Sequence, residues 1–286
     1  CPSCQAAAQD EWIAQRLRAM LPVPHFHLVF TLPEQLRGLC RANPRTLYAL
    51  LLRTCGDVLR TLGADTLGAQ LGVTAILHTW TRDLRYHVHA HCIVTAGGWD
   101  HANACFRRPR QSRYLFPVSR IKALFRARFL RGLRGLVQHK RVALPNGLSW
   151  PRFEASLPKA AKWVVYAEAP ISQFSNIVAY LGRYTHRVGI SDARLRAVTA
   201  SSVRFVTRNG KQCTLSKLEF ARRFLQHVLP DGFKKIRHYG LYAGAAKYRN
   251  EALAALRGPQ PTKPDCPETS PETSPETSTP RERRIW

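Results

Sequence analysis

The stretch RYHVHAHCIV, Arg85 to Val94, carries histidines at 87, 89 and 91 and then runs on into apolar residues. In a β-strand, side chains two apart share a face, so His87, His89 and His91 project one way while Val88, Ala90 and Cys92 line the other. That imidazole face is either a wet surface or a metal site. His78 lies 11 residues before His89, and a hairpin turning around Asp83 and Leu84 places the two directly across from each other. With His91 on the same face as His89, three imidazoles converge, which is the kind of set that holds a divalent ion. The competing reading is a polar strand face whose histidines bond to water or backbone, and it applies most readily to His87.

Working outward, the 286 residues carry 44 Lys+Arg against 18 Asp+Glu, a formal charge of +26. Solubility does not require such an excess, and the natural inference is a polyanionic partner, nucleic acid first. The eight cysteines are scattered apart from Cys1 and Cys4, which argues for a reducing compartment and against a disulfide framework. No apolar run approaches membrane-span length and no signal peptide is evident, so a cytoplasmic location is expected. The chain opens on CPSC and its sole methionine is Met20, so the natural start is expected upstream. A lone C-x-x-C is half of a zinc site.

Residues 7–20 read as an amphipathic helix ended by Pro22 and Pro24. HFHLVFTLP (25–33), GVTAILHTW (72–80), YHVHAHCIVTAGG (86–98) and WVVYAE (163–168) read as strands. Residues 33–64 predict two helices broken near Pro44, PVSRIKALFRARFLRGLRGLVQ a strongly cationic helix, and SNIVAYLGRYTHR (175–187) another. A hairpin-like set follows in RAVTASSVRFVTRNGKQCTLS, and then the helix KLEFARRFLQHVL. Strands and helices mixed without a βαβ rhythm predict an α+β fold around an antiparallel sheet. The tail repeats Pro-Glu-Thr-Ser three times from Pro267 to Ser278 without an apolar residue; it predicts disorder. The expected division is 1–21 as a zinc-element remnant and helix, 22–200 as the main domain, 201–258 as a basic accessory region and 259–286 as the tail.

Tyr180 and Tyr184 are four apart on a predicted helix, so their rings share one face. Core packing is the ordinary explanation of such a pair. Here Arg183, His186 and Arg187 crowd the same turn, which suits a phenolic oxygen that attacks a phosphodiester.

Taken in order, HLVFTLP, HVHAHCIV and YLGRYTHR resemble the three motifs of HUH endonucleases, the single-strand nickases of rolling-circle replication, conjugation and transposition. More closely, FTLPEQL, ILHTW, HVHAHCIVTAGG, LFPVSRIKALFRARFLRGLR, YLGRYTHRVGIS, EFARRFLQHVLPDGF and IRHYGLYAG resemble the two-tyrosine transposases of the insertion sequence 91 family, over roughly residues 1–250. The resemblance implies an HUH-like central antiparallel sheet flanked by helices, His89 and His91 as metal ligands, and Tyr180 and Tyr184 as nucleophiles. His78 as third ligand rests on spacing, and related relaxases use three histidines. Ala90 stands where the motif prefers a larger apolar residue. Of the family's N-terminal cysteine/histidine zinc element, only Cys1 and Cys4 remain.

The activity so implied is cutting and rejoining of single-stranded DNA at element ends through a 5′-phosphotyrosine, with Mg²⁺ or Mn²⁺ at the histidines, Zn²⁺ at the N-terminal cysteines, and no nucleotide cofactor or membrane. Arg183 and Arg187, with Arg126, Arg128 and Arg131 of the cationic helix, are the candidate phosphate contacts. Two other readings compete: a non-catalytic nucleic-acid-binding protein with a structural metal, and a metal-dependent nuclease that activates water. A tyrosine recombinase fits less well, because no arginine-histidine pentad surrounds a single tyrosine.

Overall fold

In the computed structural model, the described residues are 11–257 except 12, 16–17, 82, 110–113, 169–189, 191, 208–209 and 245–246. The histidine strand is the middle of the molecule. Strand β1 (His25–Thr31) pairs with one edge of β3 (Tyr86–Asp100) and β2 (Gln70–Trp80) with the other, all antiparallel. The short β4 (Cys105–Arg107) folds back on the far end of β3, β5 (Val164–Ala167) lies outside β1, and β9 (Ile236–Gly240) lies outside β2. The main order is therefore β5-β1-β3-β2-β9, with β4 paired to β3 off that path.

Strand alternation gives this sheet two unlike faces. Phe26, Leu28 and Phe30, Leu71, Val73, Ala75 and Leu77, and Val88, Ala90, Cys92 and Val94 all belong to one buried cluster. Two helices cover it. Helix α2 (Pro44–Leu62) starts on Pro44, whose missing N–H costs nothing in the first turn, and buries Leu47, Leu51, Cys55, Val58, Leu59 and Leu62, one stripe of a 3.6-residue period. Helix α3 (Val118–Gln138) buries Ile121, Phe125, Phe129 and Leu133 in the same way. Each such Leu or Phe contributes roughly 1.5–3 kcal/mol. The two helices approach closely at Gly132, where a Cβ would stand 2.5 Å from Leu50 Cδ1. The predicted break near Pro44 is present as well: α1 (Arg37–Ala42) ends two residues before it.

The opposite face carries the histidines at one end and a smaller apolar cluster at the other, where Ile76 and Ile93 meet Met20, Leu21, Val23 and Trp99. A second, three-stranded sheet follows, β6 (Leu195–Val198), β7 (Ser202–Val206) and β8 (Gln212–Ser216), with helix α5 (Lys217–Leu225) after it. Ser216 caps that helix by accepting a hydrogen bond from the Glu219 N–H. Phe205 with Phe220 and Phe224 packs against Leu84 at the tip of the β2–β3 hairpin. The helices α4 (Trp150–Ser156) and α6 (Lys247–Arg257) complete the set.

An α+β architecture with a central antiparallel sheet flanked by helices is thus observed, as expected, and it is consistent with an HUH-like fold. Elements absent from the sequence reading are β4, α4, α6 and β9, of which β9 adds an outer strand to the main sheet beside β2. Strand β9 comes from within the stretch expected to be an accessory region, yet it is a strand of the main sheet. Residues 11, 13–15 and 18–19 are helical within the expected 7–20 helix. The expected helix at 175–187 and the tail at 259–286 lie outside the described residues. No helix among the described residues is long and apolar enough to cross a membrane.

Candidate metal centre

His78 and His89 are direct partners in the β2–β3 ladder, as the turn around Asp83 and Leu84 predicts. Leu84 takes a positive φ of 63° there, and the Thr81 N–H donates to the Arg85 carbonyl at 2.9 Å to close the turn. Pairing slips between His78 and Trp80, so that Trp80 faces Tyr86. The bulge sits beside the site and leaves His78 in register. His91 follows on the same face, and His78, His89 and His91 each bring one ligand nitrogen within 4.8 Å of the others. Their exposures of 3%, 4% and 7% put the cluster out of bulk water.

Burial and mutual repulsion both oppose protonation here. His89 is pushed down to about 3, chiefly by burial and then by its neighbours His87 and His27. His91 lies well below the usual imidazole value, again by burial first and then by His78, His89 and His27. Both rings are therefore neutral near pH 7 and have a lone pair to give. His89 holds its Nδ1 2.9 Å from the His87 carbonyl, which leaves Nε2 for a ligand. His87 thus enters through its backbone, and its own ring stays half-buried outside the cluster. Trp80 lies parallel to the His78 ring, 5.3 Å away and 10° from coplanar. Three buried imidazole nitrogens fit a divalent cation, and they suit Mn²⁺ better than oxygen-preferring Mg²⁺.

Strand β1 contributes what sequence reasoning missed. His27 Nε2 is 2.8 Å from His91 Nδ1, and His27 Nδ1 is 2.8 Å from Glu168 Oε2. The spacing HFH already put His25 and His27 on one strand face; what was lacking was β1's register against β3. His25 has a separate use, its Nε2 lying 2.6 Å from the Tyr242 hydroxyl, which also accepts the Leu21 N–H at 3.2 Å. Asp83 has its carboxylate engaged by Thr81 and Arg85 at the turn.

Tyr180, Tyr184, Arg183 and Arg187 lie outside the described residues, as do Cys1 and Cys4. The arginines of α3 are not gathered at the histidines, because α3 covers the other face of the sheet. Arg126 Nε donates to the Pro158 carbonyl at 3.2 Å and Arg128 Nη1 to the Asp57 carbonyl at 2.9 Å, while Arg131 is exposed. A separate groove of about 660 Å³ runs along β9 and α2, and Arg45, Arg53, Lys234, Arg237 and Phe233 line it.

Compared with known families, residues 72–251 match the model described as "Putative transposase" (Y2_Tnp), and residues 1–32 match "Transposase zinc-binding domain" of the insertion sequence 91 type. The chain belongs to the insertion sequence 91 family of Y2 transposases. Among curated members, it is 39% identical over 272 residues to "Putative transposase y4qJ" of Sinorhizobium fredii (strain NBRC 101917 / NGR234), covering 90% of this chain and 67% of that one. It is 30% identical over 283 residues to "Transposase for insertion sequence element IS801" of Pseudomonas savastanoi pv. phaseolicola, covering 91% of this chain and 66% of the relative. The chain thus spans about two thirds of each transposase's length. No solved structure matches it. The Y2 match begins two residues into β2 and runs through β9, so it takes in all three clustered histidines and both tyrosines. Cys1 and Cys4 fall inside the zinc-binding match.

Proposed function

We propose that this chain cuts and rejoins single-stranded DNA at transposon ends through a covalent phosphotyrosine. The observation that carries the reading is the buried three-histidine cluster, closed by strand register, in a Y2 transposase chain. His78, His89 and His91 hold a divalent cation, Mn²⁺ or Mg²⁺; when bound, it neutralises charge at a scissile phosphate. The chain's own part is to place a phenolic oxygen in line with that phosphorus. Tyr180 or Tyr184, once deprotonated, forms the new O–P bond as the bond to the 3′ oxygen breaks, and the leaving oxygen takes up a proton as a 3′-hydroxyl. The phosphodiester energy stays in the 5′-phosphotyrosine, so a 3′-hydroxyl of another strand reverses the step without a nucleotide cofactor. A second tyrosine four residues away in the sequence permits a new cut while the first link persists.

Backbone contacts fall to Arg183 and Arg187 beside the nucleophiles, with Arg131 on α3 and the β9 groove as further phosphate tracks. Arg126 and Arg128 each use a donor on a neighbouring carbonyl, so their share in DNA binding is the smaller. Cys1 and Cys4, two thiolates at C-x-x-C spacing, are half of a zinc ligand set.

The test is incubation with single-stranded oligonucleotides bearing candidate ends and Mn²⁺, followed by a search for covalent protein–DNA adduct. Tyr180→Phe/Tyr184→Phe keeps both rings and is expected to form none, whereas each single variant retains nicking and loses transfers that need two cuts. Cleavage by the double variant at the wild-type rate would mean that water is the nucleophile.

A further inference from the structure

His91 is held from behind by two residues that nothing in the metal cluster requires. Strand β5 pairs with β1 so that Leu28 faces Ala167, and the ladder's next step brings Glu168 beside His27. The pair is clasped twice: the Glu168 N–H donates to the His27 carbonyl at 2.9 Å, and His27 Nδ1 meets Glu168 Oε2 at 2.8 Å. Across the other edge of β1, His27 faces Ile93, which places it diagonally to His91. The two imidazoles are nearly coplanar, 4° apart with centroids at 5.1 Å. Together with the 2.8 Å Nε2···Nδ1 contact, this is an in-plane hydrogen bond and not a face-to-face stack.

We infer that Glu168 and His27 are positioning residues that hold His91 in the one tautomer able to bind a metal. An ionised carboxylate only accepts, so where His27 carries one proton it sits on Nδ1 and is donated to Glu168. With that proton on Nδ1, the His27 Nε2 is an acceptor, and His91 donates to it from Nδ1. That leaves the Nε2 lone pair of His91 directed into the cluster with His78 and His89, as the His87 carbonyl does for His89. A partner that donated to His27 would reverse every step and put a proton on His91 Nε2, where the cation must bind. Glu168 stands 12 residues before Tyr180 in the chain, so the strand that orients the metal ligand leads directly into the segment bearing the nucleophiles. Only the purpose of the site rests on the proposed function; the tautomer argument does not.

Glu168 is the residue to change, because its side chain is 43% exposed while that of His27 is 3% exposed. In Glu168→Ala, isothermal titration with Mn²⁺ alone is expected to show affinity lowered by about 10- to 100-fold, the usual effect of removing a ligand's supporting partner. Glu168→Gln is expected to fall between the two, since its amide can present oxygen or, flipped, an N–H. The ¹⁵N shifts of the imidazoles in the metal-free protein report the tautomer directly: Nδ1–H at His91 in wild type, and a mixture of both forms in Glu168→Ala. Unchanged Mn²⁺ affinity in both variants, or a wild-type His91 carrying its proton on Nε2, would overturn the inference. Neither measurement uses DNA, so a failure of the phosphotyrosine chemistry would leave both results standing.

Discussion

At the scale of single residues, the proposed metal centre draws His78 from a different strand than His89 and His91. The His78 ring is set by ladder register and by the parallel indole of Trp80. His78→Ala is expected to raise the Mn²⁺ needed for half-maximal binding by more than the roughly 10- to 100-fold typical of losing a supporting partner. Titration of the metal-free protein checks this. DNA affinity should stay nearly constant in the same variant, because binding is spread over many cations. A Mn²⁺ titration that matched wild type would remove His78 from the site. The pairing of 78 with 89 was legible in the sequence because one turn fixes it arithmetically. The contribution of His27 was not, since it depends on how β1, some 60 residues earlier, lines up with β3.

Among the elements, β9 shows how a strand can escape a sequence reading. IRHYG is five residues long, is half-buried throughout and has no alternation of its own; it is a strand because the edge of β2 offers it hydrogen bonds. It ends at Gly240, whose φ is 58° and whose hypothetical Cβ would lie 1.9 Å from the Leu71 carbonyl oxygen. Gly240→Ala must therefore break this pairing or shift the backbone, at a cost of about 1–3 kcal/mol. Urea unfolding is expected to show a lower midpoint. The β9 ladder reaches only as far as Ile76 on β2, two residues short of His78, so Mn²⁺ affinity should be largely kept. A variant as stable as wild type would mean that β9 is not a structural strand. Helix α2 and its break were readable beforehand, because a 3.6-residue apolar stripe and Pro44 are local signals.

For the whole molecule, the buried imidazoles tie stability to pH. His25 and His87 are each lowered to about 4 and His89 to about 3, all chiefly by burial, against an ordinary value of 6.5. Between about pH 6.5 and pH 4 the unfolded chain binds protons that the folded one refuses. Stability is therefore complete above the unfolded value and is lost as pH falls through this window. The melting temperature is expected to drop between pH 7 and pH 5. Mn²⁺ should raise it at both pH values, because burial keeps the His89 and His91 nitrogens neutral in the folded chain across this range. A melting temperature independent of both pH and Mn²⁺ would contradict the buried neutral cluster.

The sequence alone determined the two-faced strands, the covering helices, the β2–β3 turn and the convergence of His78, His89 and His91. Each follows from local periodicity or from counting across a single hairpin, and neither needs knowledge of distant chain. Tertiary structure alone decided that the cationic helix α3 packs on the face away from the histidines, with two of its arginines donating to backbone carbonyls. A count of charges records how many there are, whereas their position is set by which apolar stripe finds which side of the sheet. The Glu168–His27–His91 relay is of the same kind. Its three members lie 141 and 64 residues apart along the chain, and only the β5-β1-β3 strand order brings them within hydrogen-bonding distance.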